Sequence, residues 1–318
     1  MEMGDQLDLF GHGRTQAGGV DLMPPLDEVV TGLTAPTPLP GQMDLFGDRW
    51  LRSATARTAL ESFDLDTATA ALREAVRLYP TDFALLERAE VIARLASTLR
   101  QARQRETSEA RALSAIASHI PSFLAVAWHQ HVARTMEDEA GPGAVVDGVP
   151  AGLHWFFAGD LTRAEDALRA TLAHSPANGR AGGYLGDVLT ALAREGEARI
   201  AYREALAVAP LEVDFENVAD PAVRDLPTLA EDEYELPGAP AEWAAAVGVV
   251  EGVFMPPSIA RQDGVAGPVD ERLAPGLRFY LWLATERAAK GDSDRILCRR
   301  AMKELGPRLF KRFLDRRR

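Results

Sequence analysis

The sequence predicts an all-α chain, a helical-hairpin solenoid preceded by a flexible arm and closed by a C-terminal helical cap. Three observations carry this reading. From Asp48 onward the chain is rich in Ala, Leu, Arg and Glu, and its apolar residues recur at three and four spacing, as packed amphipathic helices require. A short pattern of small and large residues returns 34 residues later in the same register. No convincing strand period appears.

Residues 1–47 hold eight Gly and five Pro, including the run Thr34-Ala35-Pro36-Thr37-Pro38-Leu39-Pro40, and show neither period. Such a segment cannot bury enough apolar surface to offset its ordering entropy, which predicts a flexible arm. Within it Gln6-Leu7-Asp8-Leu9-Phe10-Gly11 returns 36 residues later as Gln42-Met43-Asp44-Leu45-Phe46-Gly47. Two apolar anchors behind a glutamine, carried on a chain with no core of its own, are what a short peptide needs to fill pockets on a folded partner. The two pentapeptides resemble the clamp-binding motif of bacterial proteins that dock on the sliding clamp of the replicative DNA polymerase. That resemblance implies that Gln6 and Gln42 hydrogen-bond at a pocket rim, while Leu7, Leu9 and Phe10, and Met43, Leu45 and Phe46, enter the pocket. The second copy departs from the pattern at Met43, a tolerated exchange in size and flexibility. It also abuts the first helix, so Leu45 and Phe46 have a second reading as an N-terminal staple. The chain between the copies, taken as a flexible coil, spans about 30 Å root-mean-square, and tethering two such peptides to one ring raises avidity by roughly 10² to 10⁴.

Residues 48–210 carry the repeats. Ala164, Leu168, Thr171 and Pro176 stand 34 residues before Ala198, Tyr202, Ala205 and Pro210, and the same internal spacing occurs in Ala68, Leu72, Ala75 and Pro80. Gly152 and Gly186 fall at matched upstream positions. Small residues on both helices, Gly152 facing Ala164 and Gly186 facing Ala198, predict close antiparallel pairs, with Leu168 or Tyr202 filling the gap to the next pair and Pro stopping the second helix. One hairpin cannot bury its apolar face alone, so neighbours stack. The pattern resembles the tetratricopeptide repeat family over about 48–80 and 145–210. The intervening 82–138 is helical by periodicity without the signature, and is open between degenerate repeats, a plain helical insert and chance spacing. The family resemblance implies an inner groove lined by Val149, Leu153, Phe156 and Phe157, then Gly183, Asp187 and Thr190; the same positions equally read as core. Asp64, Asp66 and Thr67 read as the cap of the helix holding Ala68. Glu137, Asp138 and Glu139 read as a solvated helix end before Gly141.

From Glu212 to Glu235 nine acids face only Arg224, and Pro221, Pro227 and Pro237 interrupt any helix, which predicts an irregular acidic connection over 211–239. The remaining 240–318 reads as helices over 240–253, 270–290 and 294–316, broken by Met255-Pro256-Pro257 and Gly306-Pro307. Ten Arg or Lys lie from Arg295 to Arg318 against Glu304 and Asp315, so this end is basic although the whole chain carries −12. Its helix reads as a docked cap with a solvated basic side, as the neutraliser of an acidic neighbour, or as a DNA-backbone contact with salt-dependent affinity.

Composition sets the outer limits. The 318 residues are 47% hydrophobic and 26% charged, enough for one large or two modest cores, with no run long and apolar enough to span a membrane. The acidic start, without a positive or apolar region, does not read as a secretory signal, and a cytoplasmic location follows as the expectation. Cys298 is the single cysteine, and His129 and His131, two apart on a helix, point to different sides and make a poor metal pair. His154 reads as packed or solvated. No phosphate-cradling loop, His-Glu-x-x-His or Gly-x-Ser-x-Gly elbow occurs. The expectation is therefore a scaffold without catalysis, cofactor or metal, whose partners are proteins and which meets nucleic acid, if at all, through 295–318.

Overall fold

The structure is a computed structural model that describes residues 47–256 and 269–317, with side chains from residue 54. It is predominantly helical and divides into two compact units, one comprising residues to Gly141 together with Val146–Gly159, the other Pro142–Val145 together with residues from Asp160 onward. This division falls inside the 48–210 span that the repeat spacing groups together.

The first unit holds α1 (Gly47–Glu61), α2 (Leu65–Leu78), α3 (Phe83–Arg105), α4 (Glu109–Ala115), α5 (Ala125–Ala140) and α6 (Ala151–Phe157), each packed on its predecessor. Side-chain oxygens set the helix starts: Asp64 accepts from the Thr67 amide, Asp82 from Leu85 and Ser108 from Arg111. Ile92, Leu113, Ile116, Trp128, Met136 and Trp155 form the core. The Trp128 indole is buried without an orphaned donor because its Nε1 donates to the Leu113 carbonyl at 3.2 Å. The acids ending α5 are not simply solvated: Glu139 accepts from the amides of Glu109 and Ala110 at 2.9 and 3.3 Å, and Glu137 accepts from the Trp155 indole at 2.7 Å. The first contact places a carboxylate on the unsatisfied amides that open α4, a long-range cap that no local pattern announces.

A two-residue ladder, β1 (Val145–Val146) with β2 (Val149–Pro150), departs from the strand-free expectation. Asp147 and Gly148, with φ of 50° and 79°, make the tight turn that Asp-Gly favours, and the strands are too short to show a period.

The second unit holds α7 (Leu161–His174), α8 (Gly179–Ala191), α9 (Glu195–Val208), α10 (Pro221–Arg224), α11 (Leu226–Thr228), α12 (Pro240–Val250), α13 (Pro275–Ala288), α14 (Asp292–Leu305) and α15 (Pro307–Asp315). Asp160 and Asn178 cap α7 and α8. Of all the pairs, α8 and α9 pack most extensively. The stretch expected as an irregular connection is instead part of this core: Val213, Val218, Val223, Leu226, Ala230 and Tyr234 are buried. Its prolines do not break helices, because Pro221 and Pro227 occupy first-turn positions where the missing amide costs nothing. Gly306-Pro307 does separate α14 from α15, as the sequence suggests.

The three aligned segments share local geometry residue by residue. The residue five before each matched alanine is left-handed, Phe63, Gly159 and Ala193 having φ of 57°, 81° and 57°. Ala68, Ala164 and Ala198 are buried, as are Leu72, Leu168 and Tyr202, and Ala75, Thr171 and Ala205. Each helix then ends on one backbone conformation: Tyr79, Ser175 and Ala209 have φ of −129°, −134° and −144°, each donating to the carbonyl four residues back and each preceding the matched proline.

Candidate protein-docking groove

The α8–α9 hairpin is built by glycine. A Cβ on Gly186 would run into the Tyr202 ring, and one on Gly182 would lie 2.8 Å from the Ala205 Cβ. The expected pairing of Gly186 with Ala198 is thus replaced by Gly186 with Tyr202, whose ring stays inside the hairpin. The ring lies there because its hydroxyl donates to Asp187 Oδ1 at 2.5 Å, and the Ala219 amide donates to the same oxygen at 2.8 Å. Burial raises the Asp187 carboxyl from the ordinary range to about 7, against the pull of both donors. Burial and the neighbouring carboxyl likewise push the Tyr202 hydroxyl well up.

On the outer side of the hairpin, α7, α8 and α9 enclose a groove of about 360 Å³. Gly182, Leu185 and Leu189 of α8 form its floor, Leu172 of α7 one wall, and Ile200 and Val208 of α9 the other. Ile200 and Val208 are 45% and 51% exposed, so the wall offers apolar surface to solvent. The rim carries charge. Arg169 is held by Glu165 at 2.8 Å and lies 3.7 Å from Glu197, while Glu204, on the same face of α9 as Ile200 and Val208, lies 3.6 Å from the mostly buried Arg203. Apolar walls with a few charged groups at the mouth suit recognition of a side chain or short segment.

The positions singled out by sequence fare unevenly. Gln6, Leu7, Leu9, Phe10, Gln42, Met43, Leu45 and Phe46 lie outside the described residues, and α1 begins at Gly47, directly after the second copy. Leu153 and Asp187 are buried, Gly183 is covered by Val213, Val149 and Phe156 are half-buried, and Phe157 is exposed. Phe156 and Phe157 have ring centroids 5.7 Å apart. Asp187 Oδ1 is taken up by the Tyr202 hydroxyl and the Ala219 amide.

Two arrangements have no local signal in the sequence. His129 and His154 lie with their Nδ1 atoms 2.9 Å apart in the core of the first unit, against Trp128 and Phe157. One imidazole must donate and the other accept, and burial lowers His154 to about 4, so that its imidazole is neutral near pH 7. His131 points elsewhere, onto the Phe63 ring. No group of three or more metal-ligating side chains occurs among the described residues. In the second unit, buried Glu286 accepts from Arg299 and Arg317 at 2.8 and 2.6 Å, and Glu251 accepts from Arg312 and Arg316 at 3.0 Å each and from the Tyr234 hydroxyl. Four arginines of the basic end are therefore paired with acids of the same unit, which is the neutralising role. A helix-by-helix reading could not pair residues 13 to 65 positions apart.

No described helix is long and apolar enough to cross a membrane. Compared with protein-family models, curated proteins and solved structures, the chain shows no significant match to any of them.

Proposed function

We propose that this chain is a non-catalytic protein–protein interaction scaffold of the tetratricopeptide type, which docks on the bacterial replicative sliding clamp through its N-terminal arm. The observation that carries the scaffold half is the local geometry shared by the three aligned segments: a left-handed residue, a buried small residue, a buried large one, another buried small one and a fixed pre-proline residue, in one register. Such units shelter their apolar faces only by stacking, and stacked hairpins present grooves. The clamp half rests on the Gln-x-Asp-Leu-Phe pair of the arm, Gln6 to Phe10 and Gln42 to Phe46. Each peptide alone would bind near the micromolar range, about −8 kcal/mol, and the pair gains by tethering.

The alternative of a DNA-backbone contact through the basic end loses support from the pairing of Arg299, Arg312, Arg316 and Arg317 with Glu251 and Glu286. A general adaptor role unrelated to replication shares the scaffold and differs only in the arm's partner. The two separate in one experiment, in which purified clamp is mixed with the chain or with a Phe10→Ala, Phe46→Ala double variant. Loss of co-elution in the variant supports clamp docking, and equal retention rejects it.

A further inference from the structure

The groove over α8 has an acidic, apolar wall, and the same unit carries a surface of opposite character. On α14, Cys298 and Met302 face the core, while Ile296 and Leu297 are 66% and 59% exposed. Helical spacing puts Ile296, Arg300 and Lys303 on the solvent side, opposite Met302. Among the described residues Arg300 forms an exposed ion pair with Glu304 at 3.1 Å, the kind that contributes little and exchanges readily. On α9, Ile200, Glu204 and Val208 line the groove at successive turns. One helix thus offers aliphatic side chains followed by cations, and the other an apolar slot bordered by an acid. Paired hydrophobic side chains left in water beside a matching charge are what an association surface looks like before its partner arrives.

We propose that the groove between α7 and α9 takes the α14 ridge of a second copy of this chain, with Ile296 and Leu297 entering between Leu172 and Ile200 and Arg300 meeting Glu204. The volume of about 360 Å³ accepts aliphatic side chains rather than a whole helix, so the contact is a knob in a slot. Groove and ridge are different patches, which makes the contact heterologous: a two-fold pair that uses it twice closes, and otherwise copies add end to end. The contact is small, and its dissociation constant falls roughly in the 10 to 100 μM range. None of this depends on the clamp reading, since the purified chain alone is sufficient to test it.

The test is sedimentation velocity of the full chain across about 5 to 200 μM, which brackets that range. The expected result is concentration-dependent association. Ile296→Asp, placed on an exposed position so that folding is preserved, weakens it by at least about tenfold, because a carboxylate cannot enter the apolar slot. Glu204→Arg and Arg300→Glu each weaken it by roughly fivefold, and the double swap returns it to within about threefold of the original. Circular dichroism of each variant establishes that it is folded. A chain that stays monomeric throughout overturns the proposal, and so does an association that ignores Ile296→Asp or that the double swap fails to restore. Capture of a basic, apolar peptide by a chain that does not self-associate would assign the groove to a different partner and equally overturn it.

Discussion

The Tyr202 hydroxyl donates a 2.5 Å hydrogen bond to Oδ1 of Asp187, a carboxyl buried at the centre of the α8–α9 hairpin. One residue before it Gly186 leaves room for the same tyrosine ring. The small residue and the acid therefore act together, one admitting the ring and the other holding its end.

Gly186→Ala should be strongly destabilising. The added methyl meets a ring that cannot swing away without giving up its hydrogen bond, and overpacking of this kind costs about 1–3 kcal/mol. Gly196, near the start of α9 with nothing around its missing Cβ, is the control: Gly196→Ala should stabilise by roughly 0.5–1 kcal/mol through helix propensity. Equal effects in urea melts would show that close approach is not what Gly186 supplies.

Asp187 should make the second unit less stable as pH rises. Its folded carboxyl sits at about 7 and its ordinary value at 3.8, so the native state keeps a proton that the unfolded chain releases. The stabilisation is complete below the lower value, falls by about 1.4 kcal/mol per pH unit between the two, and is gone once pH passes the upper one. Asp187→Asn keeps the acceptor for Tyr202 and Ala219 without the charge, and should flatten this slope and melt higher than wild type at alkaline pH. An unchanged slope would exclude Asp187 as its source.

His154 works in the opposite direction in the first unit. Its folded value is depressed to about 4 from 6.5, so stability is complete above the upper value and falls by about 1.4 kcal/mol per pH unit as acid is added, until the folded group itself protonates. His154→Phe should remove that acid slope while losing the bond to His129. Hydrogen exchange at mildly acid pH should show amides of α5 and α6 opening before those of α8 and α9. Imidazole resonances of His154 that titrate near the ordinary value would refute the assignment.

At the basic end, burial decides which ion pairs matter. Glu286 is 1% exposed and holds two arginines, so Glu286→Gln should cost roughly 2–4 kcal/mol by weakening both bonds to a desolvated group. Glu304, exposed beside Arg300, should change stability by less than about 0.5 kcal/mol on the same substitution. Similar thermal shifts for the two would mean that the arginines of α14 and its C-terminal neighbour find other partners.

What was legible in the sequence was local. The three and four spacing announced the helices, Asp64 announced its cap, Gly306-Pro307 announced a break, and Ala164, Leu168 and Thr171 are buried in register with Ala198, Tyr202 and Ala205. Where a local rule failed, a distant residue had changed the outcome. Glu139 is exposed by position and acidic at the wrong end of its own helix, yet it caps α4, thirty residues away. The charge of the 211–239 segment and its prolines suggest an irregular connection, whereas Val213, Val218, Val223 and Leu226 lie among those acids and are buried. Ile200 and Val208, four positions either side of Glu204, are the sequence signal of the outer groove, on the face of α9 away from the small residues that pack inward.

By itself the sequence determined that this chain is predominantly helical and that its matched small and large residues repeat 34 positions apart, because backbone propensity and apolar period act within a few residues. It also determined the paired Gln-x-Asp-Leu-Phe peptides, whose chemistry needs no fold to be read. Only the tertiary structure decided that Tyr202 meets Asp187, that His129 meets His154 and that the terminal arginines serve Glu251 and Glu286. Burial and through-space charge depend on which helices touch, and no spacing along one chain specifies that.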